Sequence, residues 1–262
     1  MANYQKIFSG LVKNNLAREM EFRSNFFLWF ILQVVWVIIQ AGMIGLYFNF
    51  TDNISGWTKP QVFLLIGLFR VIEGIYHVFF HMNLMNFPEN ISSGNLDFYL
   101  TRPVNSQFLV TTRYHSPDEI GTLFTGMGLV WYALIQLKYS LSVILLVKLL
   151  VLVAFGLLAL YSVMLILSSL AFIFTRMTAL FSIWDVVSKT LRVPINVLTR
   201  DSIIGNTLLF PLLIIVTIPS QIILSRSDIS VFIIEIFSSI AMFILATKIF
   251  YLCLRRYSSA SS

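Results

Sequence analysis

Charge is what this chain of 262 residues has least of. Asp, Glu, Lys and Arg together make up 11% of it, against roughly a quarter in an ordinary soluble domain. Too little polar sequence remains beside the apolar runs to build a separate soluble domain. Cysteine is nearly absent too: Cys253 stands alone, so no intramolecular disulfide can form. The patterns G-x-x-x-x-G-K-[ST], G-x-S-x-G and H-E-x-x-H are all missing. Their absence removes a phosphate-cradling loop, a serine nucleophile elbow and a zinc-peptidase helix. With no metal quartet and no nucleophile–base pairing in view, the chain is not read as an enzyme. A cleavable leader is not expected, because the first apolar run begins at Phe26 behind mixed charge and is too long for one.

What the chain has is hydrophobicity, 58% of residues with a mean hydropathy of +0.84. This predicts an all-α integral membrane protein, a single polytopic domain over 1–262. Six transmembrane helices are expected near 26–48, 61–85, 119–137, 149–174, 203–224 and 231–254. Ahead of them, residues 1–24 place Tyr4, Phe8, Leu11, Val12, Leu16 and Met20 at spacings of three and four, the pattern of an amphipathic interfacial helix. A solvated tail is the plainer alternative. Thr178 to Arg192 predicts a second interfacial helix that can dip into the bilayer, with Leu180, Trp184, Val187 and Leu191 on one face. Lys148 is expected to snorkel outward just before the fourth span. Pro211 and Pro219 predict a kinked or broken fifth span.

The formal net charge of +6 calls for lipid headgroups rather than nucleic acid. Twelve Lys and Arg, Arg192 among them, fall in segments expected inside, and four, counting Lys148, outside. That asymmetry predicts both termini in the cytoplasm. A bacterial plasma membrane is the expected location.

The longest polar interruption is Met85 to Arg113, centred on Gly94-Asn95-Leu96-Asp97-Phe98-Tyr99-Leu100-Thr101-Arg102-Pro103. Gly94 can take a positive φ, and Pro103 stops a helix. Leu96, Phe98, Tyr99 and Leu100 are too apolar for a free loop. They either enter a partner's groove, with Asp97 and Arg102 at the rim, or pack on the chain's own span ends. In this stretch the sequence resembles the permease subunit of type-2 ABC exporters, in the branch with a G-x-L-D-x-x-L-x-[RK]-P cytoplasmic loop between the second and third spans. Gly94, Leu96, Asp97, Leu100, Arg102 and Pro103 match it in order. The resemblance implies a permease that binds no cofactor itself. It docks a separate ABC ATP-binding subunit, which carries ATP and Mg, through this loop. It pairs with a second permease, as homodimer or heterodimer, and works as an exporter.

The second span holds Arg70, Glu73, His77 and His81, with the last three on one helix face. Three readings stay open: a structural ladder with Arg70 and Glu73 paired at i, i+3; a substrate or subunit surface; and a metal site on the two histidines. Glu235 is the other acid within a span. With 24 Phe in the chain, such acids would suit an amphiphilic or cationic substrate. The competing functions are an ion-coupled secondary transporter using Glu73, His77 and His81 as a proton relay, and an intramembrane enzyme or assembly protein.

Overall fold

The computed structural model describes residues 3–21, 23–140, 142–173, 179–194, 210–224 and 229–257. Tyr4–Glu21 (α1) leads into Arg23–Tyr47 (α2), and a short turn at Ile54–Trp57 leads into Lys59–Tyr76 (α3). A π turn, His77–His81, and Met82–Met85 (α4) carry α3 onward. Three short helices follow: Phe87–Ser92 (α5), Asp97–Leu100 (α6) and Ser106–Thr112 (α7). Then come Ile120–Gln136 (α8), Val143–Ser169 (α9), Ala179–Leu191 (α10), Ile218–Ile223 (α11) and Ile229–Leu254 (α12).

Four stretches among the described residues are long and apolar enough to cross a membrane: Arg23–Tyr47, Lys59–Ser92, Val143–Phe172 and Ile229–Leu254. They fall on the first, second, fourth and sixth expected spans. The expected third span coincides with α8, which has 17 residues and reaches about 26 Å at 1.5 Å per residue. On the expected fifth span, 203–209 lie outside the described residues. The rest is the shorter apolar helix Phe210–Ile223, broken by a π turn at Leu213–Thr217 just after Pro211. Lys148 departs from expectation. It lies inside α9, which starts at Val143, and its ammonium donates to the Ile222 carbonyl at 2.8 Å. The end of α11 supplies an acceptor that a lysine turned outward would have sought in water.

α3 is the helix around which the others pack. Its face toward α8 carries Gly67 and Gly74, and α8 answers with Gly126. A methyl at Gly74 would sit 2.6 Å from the Leu123 backbone nitrogen, and one at Gly126 2.7 Å from that of Val71. The two backbones therefore touch, as small residues allow in membrane helix pairs. On its other side α3 packs against α9 and the Leu213–Thr217 turn, and α12 lies against α9. α2 packs on α8 yet buries none of its own residues, leaving Phe27, Trp36, Ile38 and Met43 more than half exposed. In water so large an apolar face would be untenable, so it faces lipid or another protein.

Gly74→Val is expected to force α3 and α8 apart, at a cost of at least about 1–3 kcal/mol. Size-exclusion chromatography and thermal unfolding in mild detergent should register a loss of monodisperse protein, with little effect from the same change at Gly128, where a methyl meets open space.

Candidate functional site: coupling segment and intramembrane polar network

The interruption after α4 folds into a compact hairpin of short helices. Gly94 takes φ +75° at the turn between α5 and α6. Leu96 and Tyr99 point inward and are buried, and Leu100 packs partly against the core. These three are thus local packing. Phe98, 68% exposed, is the apolar side chain that faces out, beside exposed Thr101, Arg102 and Pro103. Of the four apolar residues read as groove-filling, the structure leaves Phe98 fully turned outward. Asp97 lies beside Tyr257, whose phenol is pushed up by burial and then by that carboxylate.

The base of the hairpin is fastened at several points. The Arg113 guanidinium lies 4.8 Å from the Tyr99 ring centre and 5.2 Å from that of Tyr114. Asn83 brackets Tyr114, accepting from its N–H at 2.8 Å and donating to its carbonyl at 2.7 Å. The Ser116 N–H donates to the Val78 carbonyl within the π turn at 3.0 Å. From α1, Asn15 donates to the Arg113 carbonyl at 3.0 Å and lies 3.1 Å from His115 Nδ1. Buried Nε2 of His115 has no partner, and burial lowers the pKa of this ring.

Beyond Pro103 the segment is tied to the long helices. Asn105 caps α7 by accepting from the Phe108 N–H at 2.9 Å, and its Nδ2 donates to the Tyr251 hydroxyl at 2.9 Å. Gln107 donates to Tyr161 at 3.2 Å and to Thr247 at 3.3 Å. One turn of chain therefore contacts both α9 and α12.

The second group lies within the bundle. The expected Arg70–Glu73 pair does not form. Arg70 turns toward α8 and α2, donating to Thr125 at 3.3 Å and Gln33 at 3.2 Å. Glu73 turns toward α10 and accepts from Arg192 at 3.1 Å. Three residues along a helix advance about 300°, so the two side chains diverge once each finds a nearer partner on another helix. Arg192 was expected at the cytoplasmic surface. Its partner lies 14 residues into α3, about 21 Å along the axis, so α10 brings a cation to that depth.

His77 and His81 stack face to face, 4.1 Å apart, and Trp184 of α10 lies 5.3 and 5.2 Å from them. His77 Nδ1 also lies 3.6 Å from Glu119. Stacked rings do not converge on a metal, and among the described residues no three His, Cys, Asp or Glu side chains are grouped to hold one. Glu235 stands apart, fully buried on α12, with neither carboxylate oxygen hydrogen-bonded. Gln33, Glu119, Thr125, Trp184 and Arg192 complete the network and were not assigned to it from sequence. A glutamine amid the apolar residues of α2 was the available signal.

Arg192→Gln should destabilise the protein by up to about 3 kcal/mol, the low end for a broken buried pair because Arg192 keeps a third of its surface. Adding Glu73→Gln should recover most of the loss in thermal unfolding, since Glu73 is then no longer a buried carboxylate without its cation. His115 gives a pH prediction. Its folded pKa lies below the unfolded value of about 6.5, so its contribution is intact above that pH and is lost as pH falls through the folded pKa. A spin label at Lys13 in a Cys253→Ser background should become more mobile on acidification, and His115→Asn should remove that dependence.

Comparison with curated proteins and with solved structures gave no match. A family model does match, described as ABC-2 family transporter protein, over residues 26–261. The chain therefore belongs to the ABC-2 family of transporter proteins and is a membrane permease component.

Proposed function

We propose that this permease forms the substrate pathway of an ATP-driven exporter, as a dimer with a second permease, and couples to separate ATP-binding subunits that carry ATP and Mg. Family membership over residues 26–261 supports a partner of that kind, because the chain has no phosphate-cradling loop of its own. The observation that carries the docking assignment is the hairpin at 94–103. Phe98, Arg102 and Pro103 stand outward, while Leu96 and Tyr99 anchor them from within. Six spans are proposed, with α8 and the broken Phe210–Ile223 helix as third and fifth. Both termini and the hairpin lie in the cytoplasm of a bacterial cell.

Movement of the ATP-binding subunits would reach the membrane through Asn105 and Gln107. Their bonds to Tyr251, Thr247 and Tyr161 link the hairpin to α12 and α9. This is a contiguous physical connection between a nucleotide-driven partner and the helices that must tilt. The cargo is proposed to be amphiphilic. A cationic head would have to be met by Glu235, because Glu73 is already held by Arg192.

Tagged chain purified in mild detergent should bring down a stoichiometric ATP-hydrolysing subunit, which Arg102→Glu should release. Asn105→Ala with Tyr251→Phe should keep that subunit bound but lower substrate-stimulated ATPase several-fold. A chain that purifies alone and moves solute in liposomes under a proton gradient would overturn the exporter reading in favour of ion coupling.

A further inference from the structure

A cavity of about 440 Å³ opens between α2, α3 and α10, within the range of small-ligand sites. Three cations line it: Arg70, Lys189 and Arg192. The carboxylates that pair with the last two, Glu73 and Asp185, do not line it. The hydrogen-bonding partners of Arg70 are the neutral Gln33 and Thr125, and its guanidinium lies within electrostatic reach of Glu73 foremost, then of Arg192 and Glu119. Arg192 Nε is buried with no hydrogen-bond partner. Two planar guanidinium forks and an ammonium lining one cavity offer enough donors to hold a multi-oxygen anion between them. The α2 wall carries Trp36, Ile39 and Met43 from its outward apolar face, together with Gln33 and Gln40. Cations and apolar side chains lining one cavity match a molecule with an anionic head and a hydrocarbon tail.

We propose that this cavity binds an amphiphile with a phosphate or carboxylate head, which is either a resident membrane lipid or the transported compound. Cargo status rests on the exporter reading above, but head-group binding does not.

Trp36 supplies the probe. The purified chain in phosphatidylcholine nanodiscs is titrated with brominated-chain phosphatidylglycerol or with brominated-chain phosphatidylcholine. Quenching of Trp36 is taken as the difference from Trp36→Phe. The anionic lipid should reach half-quenching at about tenfold lower mole fraction than the zwitterionic one. That preference should vanish in a Lys189→Gln, Arg192→Gln, Glu73→Gln variant, in which Glu73 and Arg192 are removed together so that neither leaves the other unpaired, and folding is checked by size-exclusion chromatography. Equal quenching by the two lipids, or a preference that survives in the folded triple variant, overturns the proposal. Adding the ATP-binding subunit with ATP and Mg then separates the sources. Release of the anionic probe from Trp36 marks cargo, and quenching that persists through turnover marks a resident lipid. A chain that binds no ATP-binding subunit can still pass the head-group test, so failure of one reading is distinguishable from failure of the other.

Discussion

The backbone contact between α3 and α8 is the constraint on which the remaining structure depends. Gly74 and Gly126 let the two helices approach until main-chain atoms meet, closer than any pair bearing side chains at those points. At that distance Arg70 reaches Thr125 and His77 comes close to Glu119. Polar groups in the apolar bundle are costly unless partnered, and for Arg70 and His77 the short spacing supplies the partners. With bulkier residues at the crossing, the same polar side chains would stand apart and unsatisfied.

Charge is handled differently on the two faces of α3. Toward α8 and α2, the Arg70 guanidinium donates to the neutral acceptors Thr125 and Gln33. Toward α10, Glu73 is neutralised by Arg192. The result is a bundle interior in which Glu73 is paired and buried while Arg70 and Arg192 line a cavity. Trp184, set against the stacked His77 and His81, fixes α10 over this face. α10 is therefore packed onto the bundle and carries Arg192 to the level of Glu73, so its position follows from ion pairing as well as from its amphipathic pattern.

The hairpin after α4 is rigid at its base and exposed at its tip. Asn83, Asn15 and Arg113 hold the base through main-chain and ring contacts, while Asn105 and Gln107 join the following turn to α9 and α12. Under the proposed coupling role, an exposed tip on a base held at several points would pass displacement into the helices instead of absorbing it. Short polar bonds along one turn of chain are stiff enough for this, which a glycine-rich linker would not be.

The membrane class, the places of the four long apolar helices and the polar interruption with a possible turn at Gly94 were legible in the sequence. Each is written locally, as run length, composition or a residue that tolerates positive φ. The sequence also determined that Arg70, Glu73, His77 and His81 needed explaining, because charge inside a span is costly wherever it lies. Only the tertiary structure decided their partners. Helical spacing allowed Arg70 to reach Glu73, but Gln33, Thr125 and Arg192 come from α2, α8 and the end of α10, at separations no local pattern encodes. Whether Leu96 and Tyr99 face inward or Phe98 faces outward was likewise settled by what the hairpin packs against. Buried pairing is a property of which helices meet, and that meeting depends on small residues far apart in the chain.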